Sequence, residues 1–165
     1  GSLYPVKGYD LLITAAKKVM ERGLNFKIDI YGQGYLHSEL LEQIKIQNLE
    51  SFVELKGFIA NPYPLIKSAD IFIMSSRSEA MPMALCEAMI LGRPTIVTNC
   101  SGCREVVDYG KFGLMVDQNS KSIAEGMISL ILDKNKTNQY KKLSKQRALE
   151  FNDESILNKI YTCIK

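Results

Sequence analysis

The sequence predicts an α/β domain built as a Rossmann-like, doubly wound parallel sheet. Three observations carry this expectation: helical and extended patterns alternate from end to end, the extended runs are short and apolar, and Asp, Ser, Pro and Gly punctuate their boundaries. The chain has 165 residues, 46% hydrophobic and 24% charged, which suits one domain spanning 1–165 with a single core.

Residues 10–22 (DLLITAAKKVMER) open with Asp, carry apolar residues at helical spacing and meet a stop at Gly23. Residues 26–32 (FKIDIYG) alternate as a strand, 38–47 form a helix, and 52–57 (FVELKG) form the next strand. A short helix over 64–69 and a buried strand over 70–76 (DIFIMSS) follow, and Pro82 stands where a helix over 83–91 begins. Strands at 93–99 and 112–116 precede a helix over 120–133, capped by Ser120 or Ser122. From Lys136 the pattern is helical, broken at 151–153, with a last helix to the C-terminus.

The formal charge of +3 is small and dispersed, and Trp is absent, so neither a nucleic-acid footprint nor a base-stacking surface is indicated. The basic run at 134–147 has helical spacing and reads as a solvated helix face. No apolar run reaches transmembrane length and no signal peptide opens the chain, so the expected compartment is the cytoplasm. Cys100 and Cys103 have Cys-x-x-Cys spacing, but Cys86 and Cys163 supply no second pair and His37 is the single histidine. Reduced, incidental thiols are expected, and no metal site. His37 reads as a surface or capping residue, and Met81, Met83 and Met89 as adaptable core. Ser75, Ser76 and Ser78 have no nearby base, so a nucleophile is not expected among them.

Open parallel sheets bind ligands beyond the carboxyl ends of their strands. The junction at 70–89 is such a place: the strand ends near Ser75, the loop runs through Glu79, and the helix starts near Pro82. Free N–H groups from Met81 to Ala84, with the helix dipole, would make an anion site suited to a phosphate. Glu79 would sit in the loop above it and Glu87 in the helix beyond it. Glu87 has Met83 and Ala84 one turn before and Ile90 and Leu91 one turn after, so its partner must come from elsewhere. Two readings stand side by side. Glu87 forms a buried ion pair with Arg77, Arg93 or Arg104, or both carboxylates accept sugar hydroxyls, which implies a nucleotide sugar.

Residues 75–116 resemble the signature of the retaining family 4 glycosyltransferases, in their C-terminal, donor-binding domain of GT-B architecture. The matching positions are Glu79 and Glu87 with seven residues between them, Ala88, Met89, Gly92, Pro94, Gly102, Glu105 and Gly113. Upstream, VKGYDLLITAA, DIYGQGYLHSELLEQI and VELKGFIANPYPLIKSADIFIMSS match the same family in order and spacing. The resemblance implies that Glu79 contacts donor-sugar hydroxyls and Glu87 holds the ribose. It places the backbone of Ala80, Met81, Pro82, Met83, Ala84 and Leu85 near the sugar and diphosphate, and gives Lys7 the neutralisation of the leaving group. Gly34 and Phe58, the residue after Gly57, would line the nucleotide pocket.

It further implies transfer with retention from a UDP- or GDP-sugar to a glycan, lipid or other acceptor, with an N-terminal acceptor-binding domain beyond this chain. The full-length enzyme would be cytoplasmic or membrane-peripheral. No metal or other cofactor is implied, and no Asp-x-Asp is present to hold one. Two departures stand out: Glu79-Ala80-Met81 replaces the common Glu-Gly-Phe, and Ser2 occupies a position where relatives tend to have Arg. The alternatives are a non-catalytic Rossmann-like scaffold and a nucleotide-sugar epimerase-like domain; the single His37 speaks against the latter.

Overall fold

A computed structural model describes residues 1–151. A 3₁₀ turn at Pro5–Lys7 leads into α1 (Tyr9–Met20), β1 (Ile28–Tyr31), α2 (His37–Ile46), β2 (Val53–Gly57), α3 (Tyr63–Ser68) and β3 (Phe72–Met74). These are followed by α4 (Met83–Ile90), β4 (Thr95–Thr98), α5 (Ser101–Val106), β5 (Leu114–Val116), α6 (Ser120–Leu132) and α7 (Lys134–Ala148). The last expected helix, with Cys163, lies outside the described residues.

Every pairing among the described strands is parallel. A parallel neighbour requires a crossover, and the helices supply it. The strands fall into two hydrogen-bonded groups where one sheet was expected: β1 pairs with β2, while β3, β4 and β5 pair in that order. A cleft separates β1 from β3.

β4 is the centre of the larger group, with all four residues buried. Its alternation divides the core. Ile96 faces a cluster with Ile13, Val19 and Met127 from α1 and α6, whereas Val97 faces Leu85, Met89, Cys103 and Phe112. Leu85 and Met89 are fully buried, each contributing about 1.5–3 kcal/mol by leaving water. The sheet is thus covered on both faces, as the doubly wound class requires.

Boundaries differ from expectation where capping chemistry differs. α1 begins after Gly8, at φ 63°, while Asp10 sits in the first turn and bonds elsewhere. Asn119, not Ser120 or Ser122, caps α6, its side chain accepting from the Ser122 N–H at 2.9 Å. Asp133 caps α7 through the Lys136 N–H, so that helix starts two residues before Lys136. α5 has no counterpart in the expectation, because six residues containing a glycine give no helical periodicity. α7 buries only Ser144 and Ala148, in keeping with a solvated face. His37 is exposed and Met89 is core, but Met81 is 73% exposed and is not core.

Gly8 decides how the chain enters α1. A Cβ there would lie 2.1 Å from the Ser75 carbonyl oxygen, and its left-handed backbone costs other residues about 1–2 kcal/mol. Gly23, at φ 70°, has nothing within 4 Å of the same point. Gly8→Ala is therefore expected to destabilise by at least about 1 kcal/mol more than Gly23→Ala in urea unfolding. Equal losses would show that the Gly8 and Ser75 approach carries no weight.

Candidate functional site

The loop from the end of β3 to α4 is fastened on several sides. The Ser76 carbonyl accepts from Thr98 Oγ1, the Arg77 carbonyl from Gln118 Nε2 at 3.0 Å, and the Glu79 carbonyl from the Gly102 N–H at 3.0 Å. Gly102 is required there, since a Cβ would lie 2.5 Å from the Glu79 carbonyl oxygen and 2.7 Å from that of Ala80. On the opposite side the loop is tied to residues 5–10. Ser75 Oγ donates to the Lys7 carbonyl at 2.9 Å and the Arg77 N–H donates to the Val6 carbonyl at 2.7 Å. The Arg77 guanidinium grips both carboxylate oxygens of Asp10, at 2.8 and 2.6 Å, and donates to the Pro5 carbonyl at 2.7 Å. That fork holds the Asp10 carboxyl below the usual carboxylate range.

These ties bring Lys7 to Glu79 across 72 positions of sequence. Lys7 Nζ donates to Glu79 Oε1 at 2.7 Å, and Ser76 Oγ donates to the same oxygen at 2.6 Å. The Glu79 side chain is 10% exposed and that of Lys7 28%. Neighbouring Tyr9 has its pKa pushed up to about 12, by burial first and by the Glu79 charge second. Its phenol is therefore a neutral donor across the physiological range.

Glu87 lies in the second turn of α4, half-buried, and accepts from the Tyr63 hydroxyl at 3.3 Å. Of its expected arginine partners, Arg77 is engaged by Asp10, and Arg93 donates to the carbonyls of Leu91 and Ala69 at 3.2 and 2.9 Å. Arg104 is exposed on α5.

Lys7, Glu79, Ala84 and Glu87 line one end of a cleft of about 920 Å³. The other expected residues are placed differently. Ala80 and Met81 are exposed, Pro82 and Leu85 are buried, and Met83 is half-buried. Leu85 packs into the core, so its side chain does not face the cleft. Gly34 packs on the backbone of Leu3, where a Cβ would lie 2.4 Å from its carbonyl oxygen, and Phe58 is 68% exposed beyond β2. The expected row of free amides is shorter than the sequence suggests: Pro82 has no N–H and the Met83 N–H donates to the Met81 carbonyl at 2.9 Å. Met81 and Ala84 keep N–H groups without a backbone partner among the described residues.

Sequence reasoning missed Tyr9, Tyr63 and Ser76, and missed that Asp10 and Arg77 hold the site together. The signal available for all of them is position, since each lies at or just beyond the carboxyl end of a strand or in the turn packed there. Cys100 and Cys103 are both buried, and burial raises the Cys103 thiol. Among the described residues no three His, Cys, Asp or Glu side chains are grouped to hold a metal ion, and no helix is long and apolar enough to cross a membrane.

The family model for glycosyl transferases group 1 matches residues 1–147. The chain belongs to this family. Among its relatives is the N-acetylgalactosamine-N,N'-diacetylbacillosaminyl-diphospho-undecaprenol 4-alpha-N-acetylgalactosaminyltransferase of Campylobacter jejuni. The two are 33% identical over 158 residues, covering 94% of this chain and 42% of that protein. The crystal structure of Staphylococcus aureus TarM, solved with fondaparinux, alpha-GlcNAc-glycerol and UDP, superposes with a TM-score of 0.85 at 25% identity. That match covers 100% of this chain and 34% of TarM. The C-terminal domain of the group 1 protein LpcC from Francisella tularensis shares the fold, with a TM-score of 0.81 at 21% identity, covering 92% of this chain and 82% of that domain. The group 1 chain described here spans less than half the length of the curated relatives it matches. Its parallel α/β architecture is that of GT-B glycosyltransferases.

The Asp10 and Arg77 fork generates a pH prediction. The folded pKa of Asp10 is depressed, so its contribution is present above the unfolded value of about 3.9 and is lost as pH falls through the folded value. With both side chains more than a third exposed, the contribution at neutral pH is about 0.5–1 kcal/mol. Urea midpoints of the parent chain should fall more steeply below pH 4 than those of Asp10→Asn. Parallel curves would show that the fork adds nothing.

Proposed function

We propose that this chain is the donor-binding half of a glycosyltransferase that moves a sugar from a UDP- or GDP-sugar to a glycan, lipid or other acceptor, with retention of anomeric configuration. The observation that carries the reading is the Lys7 and Glu79 pair, held at the carboxyl ends of the strands, in one cleft with Glu87. Support comes from the transfer reaction named for the Campylobacter relative and from UDP in the TarM structure.

In this reading the diphosphate lies against Lys7. Glu79 holds the lysine poised and partly neutralised, and a diphosphate competes for the same ammonium. Glu79 is then released to accept sugar hydroxyls, having an oxygen, Oε2, that neither Lys7 nor Ser76 uses. Glu87, with two acceptor oxygens, takes the vicinal hydroxyls of ribose. The N–H groups of Met81 and Ala84 and the neutral Tyr9 phenol are further donors for phosphate oxygens.

As the bond from the anomeric carbon to the diphosphate breaks, negative charge grows on the leaving oxygen and Lys7 stabilises it in a partly desolvated setting. The acceptor hydroxyl attacks on the face the diphosphate leaves, and its proton passes to the departing phosphate oxygen. Catalysis by this half is positioning and electrostatics. No metal or other cofactor takes part in the proposed scheme. The acceptor is bound by a second, N-terminal domain of the full-length protein, so the chain alone binds donor without transferring it.

Calorimetric titration with UDP, GDP and ADP and their common sugar conjugates tests this. One of UDP or GDP should bind, and Glu87→Ala should weaken it at least about tenfold, the scale of a lost hydrogen bond to a charged group. Lys7→Met should weaken the diphosphate and leave the affinity for the free nucleoside unchanged. Failure of every nucleotide to bind at millimolar concentration would contradict the donor reading. Turnover by the isolated chain would contradict the half-enzyme reading.

A further inference from the structure

Glu87 stands on a helix without a basic residue, and Arg77 and Arg93 donate to other acceptors. Its side chain turns about three torsions, and the last, which rotates the carboxylate plane, is broad and roughly two-fold. Reading a vicinal diol requires that plane to be fixed, because two neighbouring hydroxyls must meet the carboxylate oxygens at once. A donor held on one oxygen fixes it.

Tyr63 supplies such a donor, its hydroxyl bonding Glu87 Oε1 at 3.3 Å across 24 positions of sequence. The backbone beneath the phenol has little freedom. Tyr63 opens α3 between Pro62 and Pro64, whose rings restrict the chain on either side. The Asn61 side chain accepts from the Tyr63 N–H at 3.2 Å, and the Pro62 carbonyl accepts from the Ile66 N–H at 2.9 Å. α3 in turn packs against α4, the helix that carries Glu87. Pro62 and Glu87 line the cleft, whereas Tyr63 is half-buried and is not among its lining residues. The phenol therefore holds the carboxylate from beside the cleft. Glu79 is held in a similar way, with the Ser76 hydroxyl and Lys7 both on its Oε1.

We propose that Tyr63 is a positioning residue for ribose recognition: by holding Oε1 it fixes the plane of the Glu87 carboxylate, and so sets the preference of the site for a ribonucleotide over its 2′-deoxy counterpart. The inference rests on the donor reading above and goes beyond it by assigning this discrimination to a residue outside the cleft. A carboxylate already ordered by Tyr63 has less freedom to lose when the ligand binds. That gain is realised where two hydroxyls are read together. A 2′-deoxy sugar keeps one hydroxyl of the pair, which a rotated carboxylate meets as well as a fixed one.

The test is calorimetric titration of the parent chain, Tyr63→Phe, Glu87→Ala and the double variant with UDP, 2′-deoxy-UDP, GDP and 2′-deoxy-GDP. The parent is expected to prefer the ribonucleotide of the pair that binds by at least about tenfold. Tyr63→Phe keeps the ring and its packing. It should reduce that preference about three- to tenfold, by weakening the ribonucleotide and leaving the deoxynucleotide within about twofold. Adding Tyr63→Phe to Glu87→Ala should change neither affinity further, because the hydroxyl acts through that carboxylate. Equal weakening of both nucleotides by Tyr63→Phe would make the residue merely structural and overturn the proposal. An unchanged preference in Tyr63→Phe would overturn it too, as would a further loss in the double variant. A preference that survives Glu87→Ala would instead bring down the ribose reading of Glu87, and this assignment with it.

Discussion

The structure depends on one close approach, that of Gly8 to the Ser75 carbonyl. It allows the turn at residues 5–8 to lie flat on the loop beyond β3, and every other tie between the two follows: Ser75 to Lys7, Arg77 to Val6, and Arg77 to Asp10. Without that contact Lys7 has no reason to meet Glu79. With it, a cation and a carboxylate far apart in sequence are fixed at 2.7 Å in a partly desolvated pocket. Arg77, expected as a partner for Glu87, instead anchors this junction through Asp10.

Carbonyls account for much of the loop's rigidity. Those of Ser76, Arg77 and Glu79 are taken by β4, Gln118 and α5, all of which belong to the half of the chain that follows the loop. The loop is thus clamped from before and after in sequence, and its side chains and remaining amides are free to face a ligand. This is the division of labour expected where irregular backbone sits on a parallel sheet: the scaffold satisfies the acceptors, and the exposed donors and carboxylates carry chemistry.

Much of this was legible in the sequence. The alternation of patterns gave the α/β class, and the apolar run around Glu79 and Glu87 identified the junction at which both carboxylates line one cleft. What was not legible depends on contacts between distant segments. Nothing in the residues near Asp10 shows that Arg77 is its partner, and nothing near Tyr63 shows that its hydroxyl reaches Glu87. The amides at the start of α4 were overcounted because Pro82 has none and Met83 turns back on Met81. The backbone of Leu85 was expected near a ligand, and its side chain packs into the core with Val97. Gly34 and Phe58 were expected to line the nucleotide pocket; Gly34 packs on the backbone of Leu3 and Phe58 is exposed beyond β2. The division of the strands into two groups was invisible too, since periodicity reports which segments are strands and not which edges meet.

The segment from Gly1 to Gly8 is bonded to the chain leaving β1, through the carbonyls of Tyr31 and Gln33, and presents Lys7 to Glu79. The central claim is that the Lys7 and Glu79 pair is a donor-phosphate and sugar site. A crystal structure of the chain with bound UDP-sugar or GDP-sugar tests it most directly. The account predicts the diphosphate within hydrogen-bond reach of Lys7 Nζ and ribose hydroxyls on the Glu87 carboxylate. A nucleotide sugar bound elsewhere, with the Lys7 and Glu79 bond undisturbed and Glu87 untouched, would contradict it.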